Sequence, residues 1–260
     1  MERKPRGRCL IINNTFTYSP SLFRDGSEKD ACRMEKLFTK FGFKCLVYSD
    51  LSAKRMMEVL WKVAQEELQK VADCLVVVLM SHGDTGIIYG NDNKPLYLNE
   101  ISKVFNDENC PSLQGKPKVF FIQACRGVEK DAGAMKYAPR DRVDSQSAQD
   151  EPPTVPTWPD MCFCYASVEN YVSYRHVVKG SWFLSAVCSV FSTHACDMHL
   201  LDLMLLVTAE VMKRASQHGY RQTPCVKHQG WRKHLHFNPG LPVDPIPQPT
   251  PCMEQQTMQI

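Results

Sequence analysis

DCLVVVLMSHGD (residues 73–84) and KVFFIQACRG (residues 118–127) decide how this chain is read. Each opens on an unbroken apolar run of strand length, the composition of a strand buried on both faces of a sheet. Each ends in polar groups able to do chemistry: Ser81-His82-Gly83 after the first run, and Gln123-Ala124-Cys125-Arg126-Gly127 after the second. In parallel α/β sheets, functional groups collect at the carboxyl ends of strands. If these two strands are near neighbours, a thiol and an imidazole share one crevice.

Outward from these runs, β-rich and helical patterns alternate. RCLIINN (8–14) and FKCLVYS (43–49) read as strands. Residues 28–41 space Ala31, Met34, Leu37, Phe38 and Phe41 along one helical face. Residues 52–70 do the same with Met56, Val59, Leu60, Val63 and Ala64, with Ser52 placed to cap the helix. GIIYGNDNKPLYL (86–98) reads as a hairpin, followed by a short helix near 99–106. Such alternation predicts an α/β fold on a mostly parallel, doubly wound sheet. Residues 126–160 lack periodicity and carry Asp131, Asp141, Asp144, Asp150 and Asp160. CFCYASV (162–168), two apolar helices near 181–194 and 199–217, and a final strand at KHLHF (233–237) are expected next. The proline-rich tail, 239–260, is expected to stay unpacked.

Bulk properties narrow the function. The 260 residues carry 31 basic and 28 acidic side chains, a net charge of +3 that gives no reason to propose nucleic acid or an acidic membrane as partner. No apolar run is long enough to span a membrane. The start, MERKPRGR, is charged and unlike a secretory leader. The 12 cysteines are scattered through a long chain, which favours free thiols in a reducing, cytoplasmic setting over a disulfide framework. Cys9, Cys74 and Cys188 fall in apolar stretches and read as core residues, and Cys162-Phe163-Cys164 has no matching pair to complete a zinc site.

A histidine near an attacking cysteine can take the thiol proton, and the resulting thiolate is the nucleophile. The tetrahedral oxyanion needs donors, and backbone N–H groups supply them without reorganisation. Gly83 has no side chain to block such an approach, so its N–H and that of Cys125 are the candidate oxyanion donors. A lone histidine after a strand is more often a surface or core residue, and a lone cysteine there a packing residue; the pair carries the reading. The complete QACRG with His82 lying 43 positions before Cys125 is a specific match to a known thiol-protease signature.

On these residues the chain resembles the caspase family over about residues 6–240. PRGRCLIINN, the RDGSEKD segment (24–30), MSHGD (80–84), GKPKVFFIQACRG (115–127), YVSYR (171–175), KGSWF (179–183) and VFSTHACDMH (190–199) fall in family order. The wording is nearest to the nematode cell-death caspase and to initiator-type caspases. The resemblance implies a three-layer α/β/α sandwich around a six-stranded, mostly parallel sheet. It implies a cysteine endopeptidase that cleaves after aspartate, needs no cofactor or metal, and takes part in programmed cell death. It implies Arg24, Arg175 and Gln123 as ligands of the substrate aspartate, a role suited to planar guanidinium groups. Ser173 and Arg175 would pair with the substrate backbone as an added strand. Val172, Tyr174 and Trp182 would wall the neighbouring subsites, Tyr174 standing where the family usually has tryptophan.

The resemblance also divides the chain. Residues 1–125 match the large-subunit part, 126–160 a linker cut during activation, and 161–238 the small-subunit part. Asp144 in RVDS is the first candidate for cleavage, with Asp150 and Asp160 behind it. A homodimer joined through the last strand is expected. Fewer than ten residues precede the first predicted strand, so no recruitment prodomain is expected. The alternative function is a catalytically silent regulator that pairs with an active relative; intact His82 and Cys125 argue against it. An enzyme cutting after basic residues would need an acidic pocket where Arg24 and Arg175 stand. Nucleotide binding lacks a glycine-rich loop after the first strand.

Overall fold

The computed structural model describes residues 1, 3–131 and 159–237. The elements follow in order: β1 (Gly7–Asn13), α1 (Ser27–Lys40), β2 (Lys44–Ser49), α2 (Ala53–Ala64), α3 (Leu68–Val71), β3 (Cys74–Met80), β4 (Gly83–Asp84), β5 (Ile87–Tyr89), β6 (Pro95–Tyr97) and α4 (Leu98–Val104). Then come β7 (Lys118–Gln123), β8 (Met161–Tyr165), β9 (Arg175–His176), β10 (Gly180–Ser181), α5 (Trp182–His194), α6 (Leu200–Met212) and β11 (Cys225–Gln229).

Six strands form the central sheet in the order β11-β8-β7-β3-β1-β2. All pairings are parallel except the edge pair β11–β8. Apolar side chains on both faces of β3 explain why it sits inside the sheet. Val76, Val78 and Met80 point into a core shared with α1, α5 and α6. Leu75, Val77 and Leu79 point into a second core shared with α2 and α4. All seven residues of the strand are buried. The result is the expected α/β/α sandwich.

Three local expectations held at residue level. All five apolar positions anticipated for α1 are buried, Phe41 as the residue that closes the helix. The Ser52 hydroxyl accepts the Arg55 N–H at 3.3 Å and caps α2. Cys9, Cys74 and Cys188 are core residues, each no more than 5% exposed. Among the described residues, no helix is long and apolar enough to cross a membrane.

Three expectations need correction. The helix foreseen over 52–70 breaks after Ala64, because the buried Gln69 amide donates to Val63 O at 3.0 Å and turns the chain toward β3. The last helix ends at Met212 rather than 217. KHLHF (233–237) is not a strand; the edge strand is β11, whose polar sequence CVKHQ hides it from a hydrophobicity reading. The alternation in KHLHF reflects half-burial instead. Leu235 and Phe237 plug the α1/α5/α6 core, and Leu235 O accepts the Leu200 N–H at the start of α6. The Phe237 ring lies 5.6–5.7 Å from those of Phe38, Phe41 and Phe191. Phe237→Ala is expected to cost about 3–5 kcal/mol of stability, read as a lowered denaturant midpoint, because a fully buried aromatic leaves a cavity. A loss below about 1 kcal/mol would show that this segment is not part of the core.

The linker candidates Asp144 and Asp150, and the tail 239–260, lie outside the described residues.

Candidate active site

β3 and β7 are adjacent, with Met80 opposite Gln123. The Ser81 N–H extends the ladder to Gln123 O at 3.3 Å. Each strand then leaves the sheet, carrying His82 and Cys125 to the same end of it. They line one cavity of about 300 Å³ together with Arg24, Ser81, Gln123, Ser173, Tyr174 and Arg175. Of the catalytic and substrate-binding candidates, Val172, Trp182 and Gly83 do not line this cavity. Val172 donates its N–H to Glu129 O at 3.0 Å. Trp182 stacks on Tyr174 at 4.9 Å between ring centroids and borders a neighbouring cavity of about 520 Å³.

The His82 ring is oriented by a backbone carbonyl. Its Nε2 stands 2.7 Å from Leu22 O. A carbonyl only accepts, so Nε2 carries the proton and Nδ1 keeps its lone pair. Burial lowers the imidazole pKa, and the Arg24 and Arg175 charges push the same way, against the Leu22 bond. The ring is therefore neutral near pH 7. Phe16 packs on it at 4.9 Å between centroids, with a positive φ of 59°. That unusual backbone is held by Asp50, whose carboxylate accepts the N–H groups of Thr15 (2.7 Å) and Phe16 (2.8 Å) and the hydroxyls of Thr15 and Thr17. Burial alone would raise the Asp50 pKa, but these bonds outweigh it and the net shift is downward.

Cys125 is partly exposed, and its sulfur accepts the Ser173 N–H at 3.5 Å. Gly83 is required by close packing: a Cβ there would stand 2.7 Å from Ile87 O and 2.9 Å from the Ala124 Cβ. Directly after Cys125, the buried Arg126 guanidinium lies 4.0 Å from the Tyr165 ring centre and pairs with Glu169, bracing this loop.

The cationic wall is the costliest part of the site. Arg24 is 2% exposed, and its Nη1 donates to Asn13 Oδ1 at 3.2 Å and Asn14 O at 2.8 Å. Burial, then repulsion from Arg175, pushes its pKa down to about 9, with Asp30 opposing. It stays charged at neutral pH. Arg175 donates from Nε to Asp25 O at 2.8 Å, and burial lowers its pKa. Gln123 donates from Nε2 to Ser173 Oγ at 3.1 Å, while its Oε1 is buried without a hydrogen-bond partner. Two guanidinium cations in one pocket favour an anionic guest, while the idle Gln123 oxygen calls for a hydrogen-bond donor.

Sequence reasoning missed several supports. Besides Leu22 and Asp50, the fully buried Gln222 accepts the Tyr174 N–H at 2.7 Å and donates to Ala166 O at 2.8 Å, tying the 173–175 segment to the end of β8. A polar residue in an apparent loop gives no sign of burial. Asp160, a candidate cleavage residue, is 3% exposed at the foot of β8. Its carbonyl accepts the Lys118 N–H at 2.8 Å and its N–H donates to Gly230 O.

Comparison with known proteins agrees with this geometry. The caspase domain of the Peptidase C14 family matches residues 6–236. The chain is 34% identical to caspase-2 of Gallus gallus over 221 residues, 81% of this chain and 52% of that protein. It therefore spans about half the length of that relative. It is 35% identical to caspase-7 of Gallus gallus over 242 residues, 87% of this chain and 75% of that protein. It is 33% identical to caspase-3 of Bos taurus over 238 residues, 87% of this chain and 82% of that protein. With a family match across nearly all described residues, on a fold that brings a cysteine, a histidine and two arginines to one cavity, the chain belongs to the caspase family of cysteine proteases.

Proposed function

We propose that this chain is an endopeptidase that cleaves after aspartate, with Cys125 as nucleophile and His82 as its proton partner. The observation that carries the reading is the shared cavity: sulfur, imidazole and both guanidinium groups line it together. His82 Nδ1 takes the thiol proton, and the thiolate attacks the carbonyl carbon after the substrate aspartate. The N–H groups of Gly83 and Cys125 receive the oxyanion. The protonated imidazole then gives its proton to the leaving amine as the C–N bond breaks. Water, activated by the same imidazole, hydrolyses the thioester and restores the thiol.

Arg24, Arg175 and Gln123 bind the substrate aspartate in this scheme. Ser173 and Arg175 offer their backbone to the peptide, while Val172, Tyr174 and Trp182 flank the adjoining subsites. The stacked Tyr174 and Trp182 rings support that last assignment.

The chain is made as a precursor and is activated by a cut in the 126–160 linker, after Asp144 or Asp150, which leaves a large part (1–125) and a small part (161–238). Asp160 is the poor candidate, since a protease needs an extended, accessible segment and this residue is buried in backbone pairing. Two such units pair through the exposed edge of β11, in a cytoplasmic role linked to programmed cell death.

Mass spectrometry of the purified chain tests this directly. New termini after Asp144 are expected in the wild type and absent from Cys125→Ala. Paired peptides that differ only in Asp or Arg before the scissile bond should be cut after Asp alone. Faster cutting after Arg would overturn the specificity, and no cutting by a linker-cleaved chain would favour the silent-regulator alternative.

A further inference from the structure

Asp30 sits in the first turn of α1 and lines neither cavity. Its side chain is nevertheless placed to control the aspartate pocket. It is 1% exposed, and Oδ2 accepts the Ser181 N–H at 2.8 Å across 151 positions of sequence. Its Oδ1 is buried with no hydrogen-bond partner. Burial pushes the carboxyl up to about 6, against the bonds from Ser181. A half-satisfied buried carboxyl is unfavourable for folding alone, so the contact it makes needs a reason.

The reason lies one strand away. Ser181 is the register partner of Arg175 in the β9–β10 pair. Gly180 makes the contact possible: it has φ +78, and a Cβ there would stand 2.3 Å from Asp30 Oδ1. Asp25, in the same segment as Asp30, receives the Arg175 Nε–H through its carbonyl. Arg24 precedes it. The stretch 24–30 therefore supplies one pocket arginine itself and grips the other from two directions.

We propose that Asp30 is a positioning residue for the aspartate pocket: by holding the Ser181 N–H it fixes β10, and through the Arg175–Ser181 register it sets where the Arg175 guanidinium stands. This rests on the pocket reading above. The acceptor oxygen carries the role; the Asp30 charge, which also favours the Arg24 and Arg175 cations, is what Asp30→Asn removes while keeping that oxygen.

Steady-state kinetics of the full, linker-cut chain on an aspartyl peptide, with Asp30→Asn, Asp30→Glu and Asp30→Ala, separate these claims. The asparagine oxygen can accept the same bond, so its KM should stay within about threefold of wild type. Glutamate keeps the charge but displaces the acceptor by a methylene, and alanine removes it. Both should raise KM by about tenfold or more with kcat within about threefold. Alkylation of Cys125 by iodoacetamide reads the thiol without a substrate aspartate, and thermal melting reads the fold.

Unchanged KM in Asp30→Ala or Asp30→Glu overturns the proposal. So does Asp30→Asn failing while Asp30→Glu behaves as wild type, since charge would then be the active property. A joint fall of kcat, alkylation rate and melting temperature would reduce Asp30 to a structural residue. If Asp30→Ala does not fold, the Asn and Glu variants decide alone. A wild-type enzyme that does not distinguish Asp from Asn peptides would refute the pocket itself, before any variant is compared.

Discussion

Cys125→Ala is expected to abolish peptide-bond cleavage, lowering kcat on the order of a millionfold, the scale seen when the nucleophile of a proton-coupled pair is removed. The fold should survive. Cys125 is partly exposed beyond the end of β7, and its sulfur makes only long contacts, at 3.5–4.0 Å, with Ser173. Its loss should therefore change stability by no more than about 1 kcal/mol. The measurement is kcat on an aspartyl peptide after the linker has been cut by another protease, alongside a denaturation midpoint. Residual turnover above a thousandth of wild type would move the nucleophile elsewhere. The buried thiols of Cys9, Cys74, Cys164 and Cys188 could not replace it: burial raises their pKa, which keeps them protonated and inert.

Arg175→Glu should lower kcat/KM for aspartyl peptides by at least about a thousandfold, roughly 4 kcal/mol at 1.4 kcal/mol per tenfold. Two effects add. The charge-assisted hydrogen bonds to the substrate carboxylate are lost, and a like charge is put in their place. The new carboxylate would also pair with Arg24, whose buried cation now has Arg175 as a repelling neighbour. Substrate would then compete with an internal anion. The fold should tolerate the change, because Arg175 is partly exposed and makes one hydrogen bond from its guanidinium, to the Asp25 carbonyl. A profile across peptides carrying Asp, Glu, Asn or Ala before the cut reads the effect. Retained preference for Asp would discredit the two-arginine pocket even if Cys125 and His82 behave as described.

These expectations draw on features of unequal legibility. The strands 73–81 and 118–124 were readable because burial on both faces demands unbroken apolar runs, and such runs are rare by chance. Their reactive ends were readable because chemistry in a parallel sheet collects where strands stop. Arg24 and Arg175 were not singled out by charge, spacing or periodicity. They lie 151 positions apart and became visible only through resemblance to a family. The misplaced last strand shows the opposite failure. KHLHF alternates as a strand should, and CVKHQ does not, yet the second pairs with β8 while the first packs across helices. Alternation reports that one side of a segment is buried; it does not say whether that side faces a sheet or a helix layer.

The chain's order of residues was enough to specify a layered α/β protein with a thiol and an imidazole at two strand ends, since hydrophobic periodicity and strand termini are local properties. Which strands are neighbours, which carbonyl holds the imidazole, and how segment 24–30 reaches residues 175 and 181 depend on contacts between distant parts of the chain. Such contacts leave no local trace: a backbone oxygen like that of Leu22 has no side-chain signature, and a buried Asp30 or Gln222 reads the same in sequence as one in water.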